Sequence, residues 1–149
     1  MKYHYREIGF DGVYLLNGIT VTPIGDSVET VIQNICGLHA AIMKAVCTCG
    51  GHLSGDMIRC MRIELDLSQP ELGRILGWAD RQSLSLCELG KQKMPVAQQI
   101  ILKMLVLSRV AGDTTVGSFA EMFDEAGPEF FDFRFDGTEW VLEPKGEVR

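Results

Sequence analysis

The punctuation between residues 53 and 110 constrains this chain most. Ser68-Gln69-Pro70-Glu71 is a capping box, with Ser at the N-cap, Glu three residues later and Pro tolerated in the first turn. Leu72, Ile75 and Leu76 give the helix that follows a buried stripe, and Gly77 ends it. Asp80 is a suitable N-cap for a helix over 81–89, with Leu84 facing inward and Gly90 at the stop. Upstream, Ser54 caps a helix to about Leu65 that turns Ile58, Met61 and Leu65 inward. Downstream, Pro95 opens a helix over 95–110 that is apolar nearly all round, with Lys103 the one charge inside the run. That helix is expected to be buried, in the core or partly in a dimer interface.

The flanks read as strands. Asn17-Gly18 between apolar runs predicts a hairpin pairing Leu16 with Ile19 and Tyr14 with Val21, with Asp11-Gly12 as a competing turn that leaves the pairing of residues 3–5 open. Val28–Ile32 is a further short strand, and Asn34 caps a helix carrying Ile35, Leu38, Ile42 and Val46. Near the other end, Phe131, Phe133 and Phe135 alternate with Asp132 and Arg134. A two-residue turn at Asp136-Gly137 would set Phe133 opposite Trp140, Phe131 opposite Leu142 and Arg134 opposite Glu139. A single hairpin is marginal alone, so the terminal strands are expected to join each other or a partner. Residues 116–123 read as a short helix after a loop at 113–115.

Composition narrows the function. The chain has 149 residues and a net charge of −6, which argues against a general nucleic-acid binder. No apolar run approaches the ~20 residues of a membrane span, and MKYHYREIG is unlike a signal peptide. Five cysteines, an odd number, fit a reducing cytoplasm better than a disulfide scaffold. Cys36, Cys60 and Cys87 fall inside helical patterns and read as small hydrophobes. Cys47, Cys49 and His52 supply three ligands at most, so a loop after a helix end is preferred to a zinc site, and no metal or cofactor is expected. His39 beside Leu38 reads as structural, and Trp78 as a core plug. No G-x-S-x-G, Walker loop or H-E-x-x-H is present, so catalysis is not expected.

Two short helices joined by a tight Gly-containing turn form a helix-turn-helix unit. The stretch from Leu67 to Gly77, with Asp80-Arg81-Gln82-Ser83-Leu84-Ser85 and Glu88-Leu89-Gly90-Lys91, resembles the XRE family of repressors, to which the lambda and 434 phage repressors belong. Gln69, Gly73 and Gly77 match family positions, Gly73 standing where the family usually has Ala to let the two helices cross closely. The N-terminal segment with Gly37-Leu38-His39 and Leu53-Ser54-Gly55 is similar to an antitoxin-like bacterial subfamily. The chain departs from the family by one extra residue between Gly77 and Asp80, and by Leu86 and Cys87 where Arg and Trp are common.

The resemblance implies an α+β chain. A central five-helix, lambda-repressor-like helix-turn-helix domain would be flanked by N- and C-terminal β-hairpin segments. The divisions are 1–52, 53–111 and 112–149. It further implies a transcriptional repressor that binds a palindromic operator on double-stranded DNA as a homodimer. Arg81, Gln82, Ser83 and Ser85 would reach base edges, since Gln suits adenine and Arg suits guanine. Ser68, Gln69, Lys91 and Lys93 would contact phosphates. Charge by segment agrees: residues 54–103 carry seven Lys/Arg against six Asp/Glu, and the rest seven against fourteen. The acidic flanks are where a toxin or other basic protein partner would dock, and a protein-interaction module of that kind is the alternative reading.

Overall fold

A computed structural model describes residues 2–49, 51–78, 80, 82–110 and 127–144. In chain order the elements are β1 (Tyr3–His4), β2 (Val13–Leu15), β3 (Ile19–Ile24), β4 (Ser27–Ile32), α1 (Ile35–Thr48), α2 (Gly55–Glu64), α3 (Gln69–Ile75), α4 (Gln82–Glu88), α5 (Val96–Val110), β5 (Phe131–Phe135) and β6 (Trp140–Leu142). The chain is α+β. The stretches expected as a loop at 113–115 and a helix at 116–123 lie outside the described residues. No helix among the described residues is long and apolar enough to cross a membrane.

One sheet has the order β1-β2-β5-β6. β2 and β5 run parallel, with Val13 opposite Phe131 and Leu15 opposite Phe133, so the two ends of the chain do join. Val13, Leu15, Phe131, Phe133 and Trp140 turn to the buried face. Helix α1 covers β6 and packs against α5. A single buried cluster runs from Tyr5 and Phe10 through Leu38 and Ile42 to Ile58, Leu72, Leu84 and Val106. His39 is structural as expected: its Nε2 lies 2.7 Å from the Tyr5 hydroxyl.

The hairpin expected at Asn17-Gly18 does not form. β2 is flanked by β1 and β5, which leaves β3 to pair with β4 around Gly25-Asp26, with Ile19 opposite Ile32 and Ile24 opposite Ser27. Asn17 instead extends the main sheet. Its side-chain amide donates to the Phe135 carbonyl at 2.9 Å and accepts from the Phe135 N–H at 2.6 Å. Gly18, at φ +74°, turns the chain away directly beneath Trp140. Burial decides the outcome: it is Val13 and Leu15 that reach the core, while Tyr14 is half-buried and Val21 exposed.

The second hairpin forms in a shifted register. Phe133 faces Leu142 and Phe135 faces Trp140, a slip of two residues. Asp136 causes it. Its carboxylate accepts from the N–H groups of Thr138 and Glu139, building a longer loop than the two-residue turn. Because the slip is even, every side chain keeps its expected face. The ion pair moves accordingly: Arg134 meets Glu143 at 3.5 Å, rather than Glu139.

Helix α5, expected to be buried all round, instead buries the charge inside its apolar run and exposes part of that run. Lys103 is 1% exposed, whereas Ile101 and Val96 are 39% and 41% exposed. Its ammonium donates to the Gly51 carbonyl at 3.0 Å, and burial pulls its pKa below the ordinary lysine value. One turn earlier, buried Gln99 accepts from Leu53 N–H at 2.9 Å and donates to the Met94 carbonyl at 2.8 Å. A polar strip on α5 thus satisfies backbone groups of the connection between α1 and α2.

A Cβ at Gly18 would stand 2.6 Å from the Trp140 ring. Gly18→Ala is therefore expected to cost about 1–3 kcal/mol in urea unfolding, through overpacking and a positive φ.

Candidate nucleic-acid interface

Local chemistry sets the start and end of α3 and of α4. The Ser68 hydroxyl accepts from Glu71 N–H at 3.2 Å, and Glu71 Oε1 accepts from Ser68 N–H at 3.1 Å, which completes the capping box. Those bonds hold the Glu71 carboxyl below its ordinary pKa. Gly77, at φ +81°, closes α3 with Gly77 N–H on the Arg74 carbonyl and Trp78 N–H on the Gly73 carbonyl. Asp80 then caps α4, accepting from Ser83 N–H at 2.7 Å, Gln82 N–H at 3.0 Å and the Ser83 hydroxyl at 2.8 Å. These bonds depress its pKa, the Ser83 side chain most. Gly90, at φ +76°, ends α4, with Lys91 N–H on the Leu86 carbonyl.

Beneath this surface lies a polar network that the sequence did not announce. Arg62 on α2 donates from Nε to Glu88 Oε2 at 2.8 Å and from Nη2 to Oε1 at 3.1 Å. A third bond runs from Nη1 to the Leu67 carbonyl at 3.0 Å. Gln69 Nε2 adds a bond to Glu88 Oε1 at 3.3 Å. The Arg62 and Glu88 side chains are 15% and 5% exposed. One bidentate pair therefore joins α2, the start of α3 and the end of α4.

The expected contact residues separate into three groups. Gln82 is exposed and Ser83 and Ser85 are half-buried near the start of α4, but the Ser83 hydroxyl is already bound to Asp80. Lys91 and Lys93 are exposed just beyond the other end, about 10 Å away along a helix of this length. Ser68 and Gln69 are engaged within the chain, Ser68 in the capping box and the Gln69 amide on Glu88. Arg81 lies outside the described residues. Ile75, expected inward, is 49% exposed, and the buried stripe of α3 is Leu72 and Leu76.

A crevice of about 210 Å³ separates α3 from α4, bordered by Gln69, Gly73, Arg74, Trp78 and Asp80. Trp78 packs against the core cluster from this crevice, as a plug. The crevice also corrects the role expected of Gly73. A Cβ there would meet nothing within 4 Å, so Gly73 is not what lets helices approach. That role belongs to Gly55, where a Cβ would collide with the carbonyl oxygens of Cys87 and Glu88.

The cysteines are dispersed and joined by no disulfide. Cys87 is buried, and Cys60 donates to the Ile8 carbonyl at 2.9 Å. Cys36, read as a small hydrophobe, is exposed in the first turn of α1. Cys47 is buried in α1, which pushes its thiol up to about 12. Among the described residues no three metal-ligating side chains converge.

Glu88→Ala would leave the Arg62 guanidinium buried without its partner, and is expected to cost about 3–5 kcal/mol. The double variant Arg62→Met with Glu88→Leu is expected to recover most of that loss; chemical denaturation of the single and double variants measures both. Gly73→Ala should stabilise the protein by about 0.5–1 kcal/mol through helix propensity. Gly55→Ala should destabilise it by about 1–3 kcal/mol by the same measurement. No family model, curated protein or solved structure matches the chain.

Proposed function

We propose that this chain is a sequence-specific DNA-binding regulator of transcription. It would act as a repressor of the XRE kind, reading a palindromic operator as a homodimer in the cytoplasm. The observation that carries the reading is the two-sidedness of α4. Leu84, Cys87 and Glu88 are buried against the rest of the fold, while Gln82 stands exposed at the leading end and Lys91 and Lys93 just past the trailing end. A helix so mounted can enter a major groove with base-reading groups at its N-terminus and cations against the backbone. Arg81 and Gln82 are the base readers in this proposal, with Ser85 beside them; Lys91 and Lys93 hold phosphates.

One observation favours a second reading. Glu71 and Asp80 place carboxylates at the N-termini of α3 and α4, where a phosphate would otherwise be welcome. A basic protein partner would meet that surface with less repulsion, so an antitoxin-like interaction module is the alternative.

Selection of duplexes from a random library, followed by salt titration of the selected site, separates the two. In the DNA reading, Gln82→Ala costs about 1–3 kcal/mol on the selected site and relaxes base preference there. Lys91→Ala weakens all duplexes alike and lowers the salt slope by about one. If neither substitution changes binding to any duplex, the DNA reading is wrong.

A further inference from the structure

The β3–β4 ribbon stands apart from the core. Every residue from Thr20 to Val31 is exposed, among them Val21 at 53%, Ile24 at 54%, Val28 at 63% and Val31 at 45%. Opposed residues of an antiparallel pair share a face. Ile19, Val21, Pro23, Val28, Thr30 and Ile32 therefore line one side, with no charge among them. The other side holds Thr20, Thr22, Ile24, Ser27, Glu29 and Val31. Between Ile19 and Ile32 there is no Lys or Arg, and Asp26 and Glu29 are acidic. A DNA groove is thus a poor occupant, although two-stranded ribbons of this size can enter one.

The backbone distinguishes the two edges. Gln33 N–H donates to the Gly18 carbonyl at 2.9 Å, so residues 18 and 33 form a hydrogen-bonded pair. Such pairs alternate along an antiparallel ladder, which makes Thr20–Val31, Thr22–Glu29 and Ile24–Ser27 the next bonded pairs. The intervening residues turn their backbone groups outward. On β3 these include Pro23, which has no N–H and spoils that edge for pairing. On β4 they are Val28, Thr30 and Ile32, all with donors intact. A two-stranded ribbon is marginal in water, and more strands with an apolar face relieve it.

We infer that β4 is a self-association edge, at which two copies of this chain pair antiparallel about a two-fold axis through Thr30. In that register Val28 meets Ile32 of the second copy and Thr30 meets its own equivalent, both favourable cross-strand pairs. Glu29 falls opposite Val31 of the second copy. A two-fold register centred on Glu29 would set like charges face to face, whereas the one centred on Thr30 keeps all three outward residues of β4 paired with outward residues of the second copy. The same patch serves both copies, as an isologous dimer requires, and the pairing yields one continuous sheet with an uncharged apolar side. Strand pairing of this length covers less than the ~1,200 Å² of a standard interface, so the dimer is concentration-dependent. The inference goes beyond the DNA-reading proposal and stands without it.

Sedimentation equilibrium of the full chain without DNA, over roughly 1–100 µM, tests it. The expected result is a rise towards twice the 16.5 kDa chain mass. Thr30→Pro removes an outward-facing N–H at the centre of the edge and should hold the mass at that of one chain. Val21→Pro makes the same change on the β3 edge and should associate like the parent. Thr30→Lys changes an exposed side chain, keeps the backbone donor, and should weaken association at least tenfold by bringing like charges together at the axis. It decides the matter if the proline variant fails to give a native circular-dichroism spectrum. A parent that stays monomeric throughout, a dimer indifferent to both Thr30 substitutions, or equal loss in Val21→Pro would each overturn the assignment.

Discussion

The helical half of this protein depends on the Arg62–Glu88 pair. Its partners lie 26 residues apart, and it takes in Gln69 and the Leu67 carbonyl as it closes. Short helices such as α3 and α4 cannot hold themselves in water, because nucleation is costly and few bonds repay it. What fixes them is the apolar contact of Leu72, Leu76, Leu84 and Cys87, together with the ionic lock of the Arg62–Glu88 pair. A buried pair of this kind adds little net stability, since desolvation offsets most of the Coulombic gain. What it adds is directionality, since the Arg62 bonds to Glu88 and to the Leu67 carbonyl have a fixed fork geometry. Any slide of α4 along α2 would strand a carboxylate or a guanidinium out of water. Gln69 is taken up by the same lock, so the start of α3 serves the frame before it can serve a ligand.

Close approach supports the lock. Gly55 lets the first turn of α2 sit against the carbonyls at the end of α4, and Ser54 caps that turn through Met57 N–H. Gly73 is buried yet has room beside it, because the crevice between α3 and α4 opens there. Two glycines that look alike in the sequence thus do opposite things. One removes a side chain that would block a contact, and the other leaves space unfilled.

That contrast shows what could be read from the sequence. Features written within four residues of one another came through: the caps at Asn34, Ser54, Ser68 and Asp80, and the stops at Gly77 and Gly90. Each cap is a backbone group and the nearest side chain able to satisfy it, and each stop is a glycine at positive φ whose neighbours bond backbone carbonyls within five residues, so no distant residue has a vote. Strand pairing is different. Asn17-Gly18 carries strong local turn chemistry, but β2 gains more by lying between β1 and β5, where Val13 and Leu15 become fully buried. The Asn17 side chain then bonds Phe135, a partner 118 residues away that no local pattern reveals. Lys103 escaped for the same reason. Its burial depends on the Gly51 carbonyl of another connection, whereas its own helix suggests only an apolar cylinder interrupted by a charge. The proposed contact surface was legible where it rests on helix ends. It was illegible where a side chain such as Gln69 had a competing internal partner.

A chain of contacts runs from the ribbon to the short helices α3 and α4, and this bears on any assembly. The base of the ribbon is pinned at Trp140, whose indole N–H donates to the Gln33 carbonyl at 2.7 Å and whose ring packs on Gly18. One residue beyond Gln33, Asn34 caps α1 through Gly37 N–H, so β4 passes into α1 with no slack. Helix α1 packs on α5, and α5 grips the crossing before α2 through Gln99 and Lys103. A two-fold axis set at the ribbon would therefore constrain the separation and tilt of two copies of α4 through these contacts. Half-site spacing on DNA is a geometric consequence of such a frame. In the DNA-reading proposal, a near-neutral helical segment between acidic flanks gains little affinity from phosphates, so affinity must come from base contacts and from the pairing of two copies.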